Sequence, residues 1–265
     1  MSEVFFREAG SGPGVVCIHA NASSSSQWRG LMDLLAPRFR VFAPDTYGAG
    51  KSPPRPRDRK VSLRDEVALL DPVFARAGDG FSLVGHSYGG AAALVGAVIH
   101  RQRLRSIALY EPSLFALVER ESPSPNDVDG IRHTVVASVA ALARGDAPGA
   151  ARCFIDFWMG PGSFDRMPER VQAASAESVR DIQDWKQALF DEPTPAAALA
   201  ELDVPVLLMV GSKSPLSSRA VAHRLAQVLP QVETVELAGL GHMGPVTHPD
   251  VSNDRIRRFL ERNAI

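Results

Sequence analysis

The chain has 265 residues, 45% of them hydrophobic and 22% charged, with a formal net charge of -1. That is the composition of a globular unit with a sizeable core, lacking both the basic surplus of a nucleic-acid binder and an acidic tail. No apolar run approaches the roughly 20 residues needed to cross a bilayer, and the opening MSEVFFREAG lacks the basic and apolar regions of a signal peptide. Neither nucleic acid nor membrane is therefore expected as a partner, and a cytoplasmic location is expected.

In chain order, strands are expected at 4–6, 15–19, 40–43, 81–85, 106–110, 206–210 and 232–237. Helices are expected at 25–36, 62–77, 88–102, 216–229 and 249–263. The runs VVCI, IALY and VLLMV are apolar on both faces, as central strands of a parallel sheet covered on both sides must be. Cys17 lies inside the first of these runs and reads as a buried, reduced thiol. Ser62 stands before Leu63-Arg-Asp-Glu66 at the spacing of a capping box. Alternating β and α in this order argues a doubly wound, mostly parallel α/β fold. The alternation stops between Glu111 and Pro205, where 127–144, 147–158 and 168–190 read as helices. The resulting division is a core at 1–112, a helical cap or lid at 113–195 and the rest of the core at 196–265.

Gly85-His86-Ser87-Tyr88-Gly89-Gly90 follows the strand FSLV and precedes the helix AAALVGAV. A G-x-S-x-G between strand and helix makes a nucleophile elbow. Its backbone turns so sharply that side chains two residues either side of the serine would clash, and glycine removes them. Ser87 is thus the candidate nucleophile, set at a helix N-terminus whose dipole favours developing negative charge. An oxyanion needs two N–H donors aimed at one point. Tyr88, next after the nucleophile, is one candidate. His242, in Leu240-Gly-His-Met-Gly-Pro245 after the last strand, is the candidate general base.

With the runs HANASSSSQW (19–28), PDTYGAGKS (44–52), GHSYGG (85–90) and GLGHM (239–243), the chain resembles the α/β-hydrolase family over everything outside the lid. The resemblance implies that Asn21 supplies the second oxyanion N–H, with Ala20 where relatives carry glycine. It also implies an acid after the strand that follows the lid, but that loop reads Gly211-Ser-Lys-Ser214, with Ser214 in the acid's place. A serine hydroxyl does not balance an imidazolium. Certain haloalkane dehalogenases of the family carry the acid one strand earlier, where this chain has Glu111. Glu111 is accordingly the candidate acid, with a Ser87–His242 dyad as the alternative. Asp45 reads as structural, and His19 and His86 as residues that shape their loops.

No nucleotide, redox or metal cofactor is implied. The glycine that a phosphate loop ending Gly50-Lys51-Ser52 requires is Asp45, and no metal-ligand spacing of His or Cys is present. The expected reaction is acyl transfer from a small carboxylic ester or lactone to water through an acyl-enzyme on Ser87. The rivals on the same constellation are a C–C bond hydrolase and a cofactor-free perhydrolase, and outside catalysis a small-ligand receptor. The lid's apolar set, Phe154, Phe157, Trp158, Met159 and Trp185, reads first as the lid's own core. Trp158, Phe154 and Met243 are the candidates to face substrate. Beyond a small molecule and water no partner is implied, and a homodimer is left open.

Overall fold

A computed structural model describes residues 3–264. Seven strands form one sheet: β1 (Phe6–Ala9), β2 (Gly14–Ile18), β3 (Arg40–Pro44), β4 (Phe81–His86), β5 (Leu104–Tyr110), β6 (Val206–Gly211) and β7 (Val232–Leu237). Their order is β1-β3-β2-β4-β5-β6-β7. β1 alone is antiparallel to its neighbour. It begins later than the apolar run Val4–Phe6 suggests, because the Phe5 N–H leaves the ladder for the loop beside β3. That N–H donates to Ser52 Oγ at 3.0 Å, and the Phe5 carbonyl accepts from Asp45 N at 2.9 Å.

Every residue of β2 is buried, and successive side chains enter different layers. Val15 and Cys17 pack with Trp28, Leu31 and Phe259, whereas Val16 and Ile18 pack with Leu70, Phe74 and Leu94. The first layer is built by α1 (Arg29–Leu35) and, at the chain's end, by Pro249–Arg262. The second is built by α2 (Leu63–Ala77) and α3 (Tyr88–Ile99). α3 is apolar around its whole circumference, and the structure buries it from Tyr88 to Ala97. α2 opens on a capping box closed by Asp65, not Glu66; Glu66 instead turns inward and is fully buried. Burial pushes the Cys17 thiol above its ordinary pKa, and neither cysteine forms a disulfide.

Between β5 and β6 the chain is helical: α4 (Ala116–Glu121), α5 (Asp129–Ala143), α6 (Ala147–Met159), α7 (Glu169–Ser178), α8 (Ile182–Phe190) and α9 (Ala196–Ala200). The stretch expected as one helix from 168 to 190 is two, separated by a 3-10 turn at Val179–Asp181. α10 (Leu216–Val228), α11 (Gly244–Thr247) and α12 (Pro249–Arg262) complete the fold. No helix among the described residues is long and apolar enough to cross a membrane.

Candidate active site

β4 runs directly into Ser87, and α3 begins at the next residue. Ser87 sits at φ 56°, ψ -118°, a region that costs a non-glycine residue about 1–3 kcal/mol. The flanking glycines make this turn possible. A Cβ on Gly85 would lie 2.6 Å from Gly90 Cα, and one on Gly89 would lie 2.3 Å from the Ile18 carbonyl oxygen. Both obstacles are backbone, which cannot swing aside as a side chain can. Gly89→Ala is therefore expected to cost about 3 kcal/mol of stability, read as a lowered urea midpoint; an unchanged midpoint would contradict this packing.

Three strand ends and one loop bring the next groups together. His242, in the loop after β7, has Nε2 2.9 Å from Ser87 Oγ and Nδ1 2.6 Å from Glu111 Oε2. With Nδ1–H donating to the carboxylate, Nε2 is left to accept the serine hydroxyl. Glu111 follows β5 at φ 43°, a second strained position. Its Oε1 accepts from Gly211 N at 2.7 Å and from the Ser214 hydroxyl. Burial opposes the Glu111 charge, but the bonds from His242, Ser214 and Gly211 outweigh it and hold the carboxyl below its usual range. Ser214, in the loop after β6, thus bonds to a carboxylate delivered from the neighbouring strand β5.

The loops around this line are fixed from behind. His86 Nε2 lies 2.8 Å from the His242 carbonyl and Nδ1 lies 3.1 Å from Gln27 Nε2. Burial and the neighbouring His242 push the His86 pKa down to about 3. It is therefore neutral, donating from Nε2 and accepting at Nδ1. His19 accepts from Thr46 N at 3.1 Å through Nε2 and donates to the Ala20 carbonyl at 2.7 Å; burial lowers its pKa too. Asp45 accepts from Ser25 N at 2.6 Å and Lys51 N at 2.9 Å, tying two loops together. Tyr88 is the first residue of α3, so its N–H has no intrahelical acceptor. Asn21 and Ser87 line one small void.

That void measures about 20 Å³, room for roughly one water. Phe154, Trp158 and Trp185 line it, and Phe154 packs on both tryptophans, so these three serve both the segment's core and the void's roof, whereas Phe157 lines an outer groove. Trp158 stacks on the His242 ring with centroids 3.9 Å apart and planes inclined by 25°. Met243 is not at this void; it lines that outer groove, on the other side of Trp158, with Met159 and Lys213. Residues that no motif flagged also converge here. Ser113 Oγ is 3.2 Å from Ser87 Oγ, and Ser218 Oγ is 3.2 Å from His242 Nδ1. The only available signal was the position of Ser113, two residues past Glu111.

The family model described as alpha/beta hydrolase fold matches residues 13–249. A pimeloyl-[acyl-carrier protein] methyl ester esterase of Aeromonas hydrophila is 27% identical over 95% of this chain and 96% of its own length. A 2-hydroxy-6-oxo-6-(2'-aminophenyl)hexa-2,4-dienoic acid hydrolase of Metapseudomonas resinovorans is 26% identical over 99% of this chain and 89% of its own. An esterase from Exiguobacterium antarcticum shares the fold at a TM-score of 0.79, with 18% identity over 98% of this chain and 96% of its own.

Proposed function

The chain belongs to the alpha/beta hydrolase fold family, and from that premise we propose that it is a serine hydrolase of small carboxylic esters or lactones. The observation that carries this reading is the continuous buried line Ser87–His242–Glu111 at the carboxyl edge of the sheet. His242 Nε2 takes the Ser87 proton as Oγ attacks the substrate carbonyl. The N–H groups of Asn21 and Tyr88 hold the resulting oxyanion. His242 then returns the proton to the leaving alcohol, and Glu111 balances the imidazolium formed in between. Water, deprotonated by the same nitrogen, releases the acid and restores Ser87.

In this reading the helices between β5 and β6 are a cap. Because the void beneath them holds roughly one water, substrate enters only when the wall carrying Trp158 moves away from His242. The similar proteins include a methyl ester esterase and a hydrolase of a dienoic acid, so ester hydrolysis is tested beside C–C hydrolysis. A panel of short-chain p-nitrophenyl esters, lactones and vinylogous diketones decides between them. Turnover of esters or lactones is expected, with diketones slower. Turnover of diketones alone would replace the ester reading with C–C hydrolysis, and tight binding without turnover would replace it with a receptor.

A further inference from the structure

Beside the Ser87 void lies a second, lined by Arg55, Thr46, Tyr47 and Asp181 and sharing Asn21 and Trp185 with the first. It measures about 30 Å³. The Arg55 side chain is only 5% exposed. Its Nη2 donates to Glu66 Oε1 at 2.9 Å and to the Tyr88 hydroxyl at 3.2 Å, but its Nε and Nη1 are buried without an acceptor. A guanidinium held this way is costly, because buried donors of a charged group demand partners. Asp181, on the 3-10 turn between α7 and α8, comes near, with Oδ2 3.8 Å from Nε. That is too long for a hydrogen bond. Its side chain is 40% exposed, so it can swing out into solvent. Glu66 cannot leave. It is fully buried, and its other oxygen accepts from Tyr47 N at 3.0 Å.

We propose that this second void is an anion subsite of the same active site. It receives a carboxylate at the far end of the substrate's acyl chain, and Asp181 occupies its approach. The proposal rests on the serine-hydrolase reading and narrows its substrate class to acid-bearing esters. An acyl chain bonded at Ser87 passes the shared wall of Asn21 and Trp185 and, with Asp181 displaced, sets its free carboxylate on an Arg55 donor that has no acceptor. Arginine suits this task, since its guanidinium keeps its charge when buried and either free N–H can give the carboxylate a charge-assisted hydrogen bond. Removing the Asp181 charge takes a like charge away from the incoming group while leaving the guanidinium in place.

The test compares kcat/KM for the monomethyl and dimethyl esters of succinate, glutarate and adipate, in wild type, Asp181→Asn and Arg55→Gln. Wild type is expected to prefer the monomethyl ester at one chain length at least. Asp181→Asn should raise that acid-over-neutral ratio about fivefold, the scale of a half-exposed charge pair. Arg55→Gln should lower the ratio below wild type; should that variant not fold, Asp181→Asn decides alone. If the dimethyl esters are turned over but Asp181→Asn leaves the ratio unmoved, the subsite is wrong and the hydrolase reading stands. If no ester is turned over, calorimetry on Ser87→Ala with and without Asp181→Asn decides. Tighter binding of the monomethyl ester in the double variant supports the subsite, and equal binding overturns it.

Discussion

Replacing Ser87 by alanine is expected to lower kcat for a short-chain p-nitrophenyl ester by about 10⁴-fold or more, with the folded structure intact. Ser87 Oγ is the proposed attacking atom at the point reached by His242 Nε2, and alanine offers nothing in its place. The residual rate should be that of water attacking a carbonyl still held by the proposed oxyanion donors, the N–H groups of Asn21 and Tyr88. Ser113 sharpens the test, because its hydroxyl lies 3.2 Å from Ser87 Oγ. Yet His242 Nε2 is aimed at Ser87 and Ser113 has no base of its own, so it is not expected to substitute. A Ser87→Ala variant retaining a tenth of the activity would make Ser113 the nucleophile or remove serine chemistry altogether.

The second large effect is expected at Glu111. Glu111→Gln keeps the volume but removes the charge that faces the imidazolium, and should lower kcat by about 10³–10⁴-fold. Position 214 offers a repair. The Ser214 hydroxyl already bonds to the carboxylate of Glu111, so a carboxylate placed there stands near the one it replaces. The double variant Glu111→Gln, Ser214→Asp is expected to recover at least about tenfold of the loss, because a charge restored near the imidazolium regains part of its electrostatic support. It also avoids setting two like charges side by side. Near-full activity in Glu111→Gln alone would leave Ser87 and His242 as a dyad and make Glu111 an anchor for the chain entering the helical segment.

The parts legible in the sequence are those whose physics is local. Val15–Ile18 announces a strand buried on both faces because four successive apolar residues need two layers to receive them. Gly85 and Gly89 announce a sharp turn because only glycine escapes the backbone clashes found there. The groups near Ser87 that no motif flagged are set by contacts between residues far apart in the chain. Arg55 meets Glu66 11 positions on and Tyr88 33 positions on, and Ser218 meets His242 across 24. Such pairs leave no spacing to read. The break at Val179–Asp181 escaped for a related reason. Its residues are acceptable in a helix, and the turn forms where Val179 and Ile182 are drawn into the core. The late start of β1 likewise follows from the Phe5 N–H donating to Ser52 Oγ instead of to the Asp45 carbonyl, which accepts from the Ser52 hydroxyl.

Whether Ser87 is the covalent nucleophile is tested most directly by exposing the protein to an alkyl fluorophosphonate and locating the adduct by peptide mass spectrometry. One phosphonyl group on the peptide carrying Ser87, lost in Ser87→Ala and accompanied by complete loss of ester turnover, is the predicted result. An adduct on Ser113, or ester turnover that survives full modification of Ser87, would contradict it.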